Sequence, residues 1–318
     1  MKKRLFIALL SLLPAFGVFA AYPDKPITVL VGFPPGSAPD IAARLVTEKL
    51  SSRIGQAIVV ENRSGAAGTI AASALARAPA DGYTLMFGSS STLAIAPALY
   101  KNLAFDPVKL TPVIQAVRGP FILTVRSELP VHDLKELVAY ASERPGKLTY
   151  GSSGNGSVHH LCMEMLKSSA GLDIVHVPFK GGPPDWLAFD RGDVGMICDS
   201  MPNPAPALQS GRGRAIAITG DQRSSILPNV ATFKEQGRPE VDIEFWYGFV
   251  APPGTPADVV NTLNRAISAV LRDPEIINRN KVDGIEMAPG TPEDFGRLIA
   301  AEVKKWPPII EKAHVKIN

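Results

Sequence analysis

Three glycine- and serine-rich junctions hold most of the side chains in this sequence that could meet a small ligand. The first, Phe33-Pro34-Pro35-Gly36-Ser37-Ala38-Pro39-Asp40, lies between the apolar run 27–32 and a helical pattern that begins at Ile41. Two prolines stiffen it, and Gly36 permits a turn that residues with a Cβ resist. Free N–H groups of the helix's first turn point to where a carboxylate could sit. Similar junctions recur at 88–92, with Ser89, Ser90, Ser91 and Thr92, and at 151–157, with Ser152, Ser153, Asn155, Gly156 and Ser157. A helix N-terminus favours an anion by about 0.3–1 kcal/mol at an exposed site and up to ~2 kcal/mol when partly buried. Each hydrogen bond to a charged group adds about 1.5–3 kcal/mol. A few such contacts reach a micromolar complex, about −8 kcal/mol, without a buried arginine. Capping serines in tight turns explain any single loop equally well.

Other chemistry is less well served. Neither Gly88-Ser89-Ser90-Ser91 nor Gly151-Ser152-Ser153-Gly154 fits G-x-S-x-G, because Thr92 and Asn155 occupy the last position. A serine hydrolase also needs a base held by an acid, and no sequence feature orders His159, His160 or His176. His160 and Glu164 share a helix face at i, i+4, but two ligands do not make a metal site. Neither a metal nor a cofactor is expected: Gly151-x4-Gly156 lacks the lysine of a phosphate loop, and no dinucleotide fingerprint occurs. Asp40 reads as a helix cap with Arg44 as its i, i+4 partner, which makes it loop architecture. Asp199 ends the apolar stretch 194–198 and would face a crevice, either to pair with a ligand ammonium or to cap the next helix.

The elements that must position these residues alternate. Strand-like runs at 27–33, 57–61 and 83–88 are separated by helical patterns from Asp40 and from Thr69, and a helical turn follows near 97–100. This is the rhythm of a parallel α/β sheet. Runs at 113–117 and 121–126 come next. The alternation then restarts with helix 133–143, strand 148–151, helix 158–170, strand 176–179, helix 183–191, strand 194–199, helix 204–211 and strand 214–219, which implies a second lobe. After a long strand at 242–251, Thr255-Pro256 and Thr291-Pro292 mark the starts of two helices, the last running to about Ile310. These helices pack back on the first lobe, so the chain crosses near 119–121 and again near 246–251. The expected division is lobe 1 at 21–120 plus 249–318 and lobe 2 at 121–248, with a hinge and a ligand cleft between them. Loops leaving the carboxyl ends of strands line such a crevice, so the three junctions can converge. Proline makes up 29 of 318 residues, about 9% against a usual ~5%, and it sits at element boundaries, which favours fixed, preorganised loops.

Lys2, Lys3 and Arg4 precede an apolar run at 5–19, and Val18-Phe19-Ala20 offers small residues for a signal peptidase. Residues 1–20 read as a secretory signal peptide cleaved after Ala20, which gives a periplasmic address. The run is shorter than the roughly 20 apolar residues of a membrane span, and Pro14 and Gly17 interrupt it. The segment carries three of the 33 Lys+Arg and none of the 30 Asp+Glu, leaving 30 of each. With no clustered cations, nucleic acid is excluded as a partner. Cys162 and Cys198 are the only cysteines. They could form one bridge in an oxidising compartment, or Cys162 could be a buried thiol on the stripe Val158, Leu161, Cys162, Met165, Leu166.

Taken in order, Tyr22-Pro23-Asp24-Lys25-Pro26-Ile27, Phe33-Pro34-Pro35-Gly36 with Asp40 and Ala43-Arg44, Val60-Glu61-Asn62-Arg63 and Asp81-Gly82-Tyr83-Thr84-Leu85 resemble the Bug-type substrate-binding receptors of tripartite tricarboxylate transporters. The likeness continues through Pro145-Gly146-Lys147-Leu148, His176-Val177-Pro178-Phe179-Lys180-Gly181, Arg223-Ser224, Leu227-Pro228 and Trp246-Tyr247-Gly248, covering essentially all of the chain after residue 20. The resemblance implies an α/β, two-lobed periplasmic binding protein fold of the second type that closes on a small carboxylate and hands it to integral membrane subunits. It implies a carboxylate held by backbone amides and ordered water from Phe33, Pro35, Gly36, Ser37 and the 89–92 loop. From the second lobe it implies Ser152, Ser153, Asn155, Gly156, Ser157, His160, Lys180, Gly181 and Asp199.

The chain departs from the family pattern at Ser37, where a second glycine is usual, at Ser64 for proline, at Phe179 for tyrosine, and at both cysteines. The expected protein is a monomeric, non-enzymatic receptor. A secreted α/β hydrolase with a serine nucleophile and a ligand-sensing accessory of a sensor kinase stand as alternatives.

Overall fold

The computed structural model describes residues 22–201, 203–281, 284–312 and 315, so the expected signal peptide lies outside the described residues. Two sheets form the frame. The first contains β1 (Ile27–Val31), β2 (Ile58–Asn62), β3 (Thr84–Ser89), β4 (Thr111–Pro120), β10 (Glu244–Ala251) and β11 (Glu286–Met287), in the order β11-β4-β10-β3-β1-β2. The second contains β5 (Ile122–Arg126), β6 (Thr149–Ser152), β7 (Val175–Pro178), β8 (Met196–Asp199) and β9 (Gly213–Ile218), in the order β7-β6-β8-β5-β9. β1 pairs parallel with β2 and β3, whereas β10 runs antiparallel to β3 and β4. In the second sheet β6 pairs parallel with β7 and β8, and β5 antiparallel with β8 and β9. The alternating pattern thus locates the strands, and the antiparallel pairs arise where the chain passes between sheets.

The helices are α1 (Ala38–Ile54), α2 (Thr69–Leu75), α3 (Ala96–Leu99), α4 (Leu134–Ser142), α5 (Val158–Ala170), α6 (Gly182–Arg191), α7 (Ala205–Gln209), α8 (Ala257–Leu271), α9 (Pro274–Lys281) and α10 (Pro292–Lys312). The C-terminal helices pack against elements of the first sheet. α8 packs on β4 and α1, and α10 packs on β4. Gly248 of β10 makes room for this packing, since a Cβ there would stand 2.4 Å from the ring of Phe295 in α10. Helix α8 begins at Ala257 with Pro256 as its cap, one residue later than the Thr255-Pro256 reading. The hydroxyl of Thr255 turns to the Pro252 carbonyl instead, at 2.8 Å.

Phe121 joins β4 to β5, its N–H donating to Thr219 Oγ1 at 2.8 Å and its carbonyl accepting from Thr219 N–H at 2.9 Å. The expected return crossing requires a correction. All of β10 belongs to the first sheet, with Glu244 opposite Pro120, so the expected boundary at 248 falls inside a strand. Thr232 still bridges Ile218 in the second lobe, which puts the return crossing between those two points, near residues 233–244. Residues 244–248 are too apolar to show from sequence which sheet they extend. One continuous buried cluster runs through both lobes, and a smaller one around Phe189 and Ile197 covers the other face of the second sheet.

Cys162 of α5 and Cys198 of β8 form a disulfide, with Cα atoms 6.3 Å apart, which settles the alternative left open by sequence.

Candidate functional site

A cavity opens between the lobes where the three junctions meet. Phe33, Ser37, Ala38 and Pro39 line it from the first junction, Ser89, Ser90 and Ser91 from the second, and Ser153, Val158 and His159 from the third. Phe121, Gly182, Asn203, Phe245 and Tyr247 complete the wall. It encloses about 420 Å³ of atom-free space, margins open to solvent included, and forms a slot between the lobes.

The 33–37 loop is braced from behind. The buried carboxylate of Asp40 accepts from Gly36 N–H at 2.9 Å, Arg44 Nε at 3.0 Å and Asn62 Nδ2 at 2.8 Å, while Asn62 Nδ2 also donates to the Phe33 carbonyl at 2.9 Å. Burial opposes the charge of Asp40, yet Arg44 and Asn62 hold its carboxyl below the usual range. Asp40 sits in the first turn of α1 rather than at the cap position, which Ser37 occupies. Gly36 has φ +80°, and nothing lies within 4 Å of a Cβ built there, so the loop needs glycine for its dihedral angle and not for close backbone approach. The hydroxyl of Ser37 donates to the Pro34 carbonyl at 2.7 Å. Pro35 and Gly36 are exposed and do not line the slot.

In the second junction Thr92 faces away from the slot: its Oγ1 donates to the Ala67 carbonyl at 2.7 Å and lies 3.0 Å from Ser89 Oγ. Ser91 Oγ accepts from Val158 N–H at 3.2 Å, a hydrogen bond that joins the two lobes across the slot. Ser90 Oγ is different. The residue is 1% exposed, lines the slot, and has no hydrogen-bond partner among the described residues. An unpaired buried hydroxyl costs about 1–3 kcal/mol, so a partner supplied to Ser90 Oγ would be favourable.

The third junction divides its histidines. His160 is turned into the second lobe, where its ring stacks on His176 at 3.9 Å and 7°, and His176 stacks on Tyr150 at 4.8 Å. Gly156 N–H donates to His160 Nδ1 at 3.1 Å, and His176 Nε2 lies 2.7 Å from Ser152 Oγ. Burial pushes His160 down to about 4 and His176 down to about 3, so both are neutral at neutral pH. Glu164, the other half of the i, i+4 pair, accepts from Tyr150 Oη and Lys167 Nζ, each at 2.5 Å. The slot is lined by His159 instead. Its Nδ1 lies 2.6 Å from Ser153 Oγ and its Nε2 lies 2.8 Å from Asp199 Oδ1.

Asp199 is 0% exposed and does not reach the slot surface. Beyond His159, it accepts from Ser200 N–H at 2.7 Å, Trp186 Nε1 at 2.8 Å and Asn203 Nδ2 at 2.9 Å. Burial raises the cost of its charge, but His159, Trp186 and Asn203 hold its carboxyl below the usual range. With four donors in place it has no need of a ligand ammonium, and it acts as the support on which His159 and Asn203 are set. Asp185, also 0% exposed, has neither carboxyl oxygen hydrogen-bonded among the described residues and presses on the backbone of Gly151. Burial, with the charge of Asp199, pushes it up to about 9, so it is a neutral acid at neutral pH.

Of the residues expected from sequence, Phe33, Ser37, Ser89, Ser90, Ser91 and Ser153 line the slot. Ser152, Gly156, Ser157 and Thr92 shape the loops behind it, while Asn155 and Lys180 are exposed. Gly181 brings the second lobe against the ring of Pro34. Sequence reasoning missed His159, Asn203, Phe121, Phe245 and Tyr247 as lining residues. The period-2 spacing of Phe245 and Tyr247 on one strand was the available signal for those two.

Residues 42–315 match the tripartite tricarboxylate transporter family receptor. Among solved structures, the periplasmic binding protein BugD is 32% identical, with TM-score 0.87 over 93% of this chain and 99% of that one. A protein of R. palustris solved with adipate is 35% identical, with TM-score 0.89 over 93% and 99%. MatC from Rhodopseudomonas palustris, with bound malate, is 34% identical, with TM-score 0.85 over 91% and 100%. The two-lobed frame, the slot between its sheets and a match over nearly the whole chain place this protein in the tripartite tricarboxylate transporter receptor family, among the Bug-type periplasmic binding proteins.

Proposed function

We propose that this chain captures a small organic carboxylate in the slot between its lobes and hands it to the integral membrane subunits of a tripartite transporter, binding it without turnover. The observation that carries the reading is Ser90, a slot-lining residue near the start of α1 whose buried hydroxyl has no partner among the described residues. The helix supplies the N–H of Ala38 and the favourable end of its dipole. No Lys or Arg lines the slot among the described residues, so an anion there is held without either. That the relatives solved with adipate and malate share this fold supports the ligand class. A periplasmic address follows from residues 1–20 read as a cleaved signal.

A thermal-shift panel of mono-, di- and tricarboxylates tests the reading. A ligand at ~1,000 times its dissociation constant adds about 4 kcal/mol, an upward shift on the order of ten degrees for a chain of this size. If no carboxylate shifts the transition, the reading fails.

One arrangement bears on the serine-hydrolase alternative, which the family match does not favour. The chain Ser153–His159–Asp199 has the order of a hydrolase relay, although the imidazole presents Nδ1 to the serine, opposite to the usual arrangement. Ester turnover that disappears in Ser153→Ala would establish it, and absence of turnover would leave the chain as a support for His159.

A further inference from the structure

We propose that the slot selects monocarboxylates with a single planar aromatic body over dicarboxylates. This deepens the carboxylate-receptor reading and rests on it. The first wall offers a built place for one carboxylate: the unpaired Ser90 Oγ and the N–H of Ala38 at the start of the 17-residue helix α1.

The opposite wall is poor in donors. In the first turn of α5, Val158 N–H is committed to Ser91 Oγ and His160 N–H to Ser157 Oγ, which leaves the N–H of His159. In α6, Pro183 and Pro184 have no N–H, which leaves that of Gly182. Trp186 Nε1 is directed at Asp199, and one N–H of the Asn203 amide is as well. Directly behind these groups lies the buried carboxylate of Asp199. A second ligand carboxylate would meet three isolated donors, the N–H of His159, that of Gly182 and the second N–H of the Asn203 amide, together with a like charge.

An aromatic ring meets better partners there. Phe121 and Phe245 stand edge to face at 5.8 Å and 85°, Phe245 and Tyr247 are tilted at 5.2 Å and 38°, and Phe121 meets the His159 ring edge to face at 5.3 Å and 88°. They offer ring faces and edges to a guest, which suits an aromatic body.

Titration calorimetry of the mature protein with benzoate, adipate and malate tests this. Leaving a buried polar group unpaired corresponds to a loss of about tenfold or more in affinity, so benzoate is expected to bind at least that much more tightly than either dicarboxylate. Dicarboxylates that bind as tightly as benzoate, or more so, overturn the selectivity while leaving the receptor reading intact. Failure of all carboxylates overturns both. In Pro183→Ala/Pro184→Ala, which restores two N–H donors, the ratio of adipate to benzoate affinity is expected to rise at least threefold. An unchanged ratio overturns donor shortage as the origin of the selectivity.

Discussion

Three titratable groups, His160 and Asp185 buried and His176 half-buried, are expected to give the fold a stability maximum near pH 6.5. His160 and His176 are pushed down to about 4 and about 3, and Asp185 is pushed up to about 9. Below pH 6.5 the unfolded chain takes up a proton at each histidine that the folded chain refuses, so these two sites lose stability as pH falls. Asp185 acts in the other sense. It keeps its proton when folded and loses it above the ordinary carboxylate range when unfolded, so its contribution is full at low pH and is lost as pH rises towards about 9.

One proton is worth about 1.4 kcal/mol per pH unit. On the alkaline side only Asp185 matters, and stability falls by about 2 kcal/mol from pH 6.5 to 8.5. On the acid side two histidines outweigh one aspartate, and the net loss is again about 2 kcal/mol by pH 4.5. In thermal unfolding across pH 4.5–8.5 each limb is expected to lower Tm by roughly 4–8 °C. Asp185→Asn should abolish the alkaline limb, and His176→Gln should flatten the acid one. A monotonic profile, or an alkaline limb that survives Asp185→Asn, refutes the assignment of these charge states.

Further outcomes follow from the site's supports. Asp199→Ala leaves His159, Trp186 and Asn203 without their acceptor and should cost about 3–5 kcal/mol in urea unfolding, with loss of carboxylate binding. Gly36→Val places a β-branched residue at φ +80°, which should cost about 1–3 kcal/mol and weaken binding without steric conflict, as calorimetry of a folded variant would show. Reducing Cys162–Cys198, which are 36 residues apart, should lower stability by about 4 kcal/mol on a chain-entropy basis, measurable by denaturant titration with and without reductant.

Much of this frame was legible because apolar periodicity and glycine or proline punctuation are local signals. The junction at 33–40 showed its strand, loop and helix, and the i, i+4 pair of Asp40 and Arg44 appears at 3.0 Å. What was not legible depends on register. His160 lies opposite the apolar stripe of α5, so its side chain reads as open, but Tyr150 and His176 stand side by side in the β6–β7 pairing and cover it. His159 reaches the slot because Asp199, 40 residues away, holds it there. The boundary inside β10 was missed for the same reason: its partner strands, and not its composition, decide which sheet it extends.

A crystal structure of the protein saturated with whichever carboxylate binds best in the titration is the most direct test. The carboxylate is expected between the lobes, within hydrogen-bond distance of Ser90 Oγ and the N–H of Ala38, with no lysine or arginine in contact. A ligand bound outside the slot, or held there by a cationic side chain, would contradict the account.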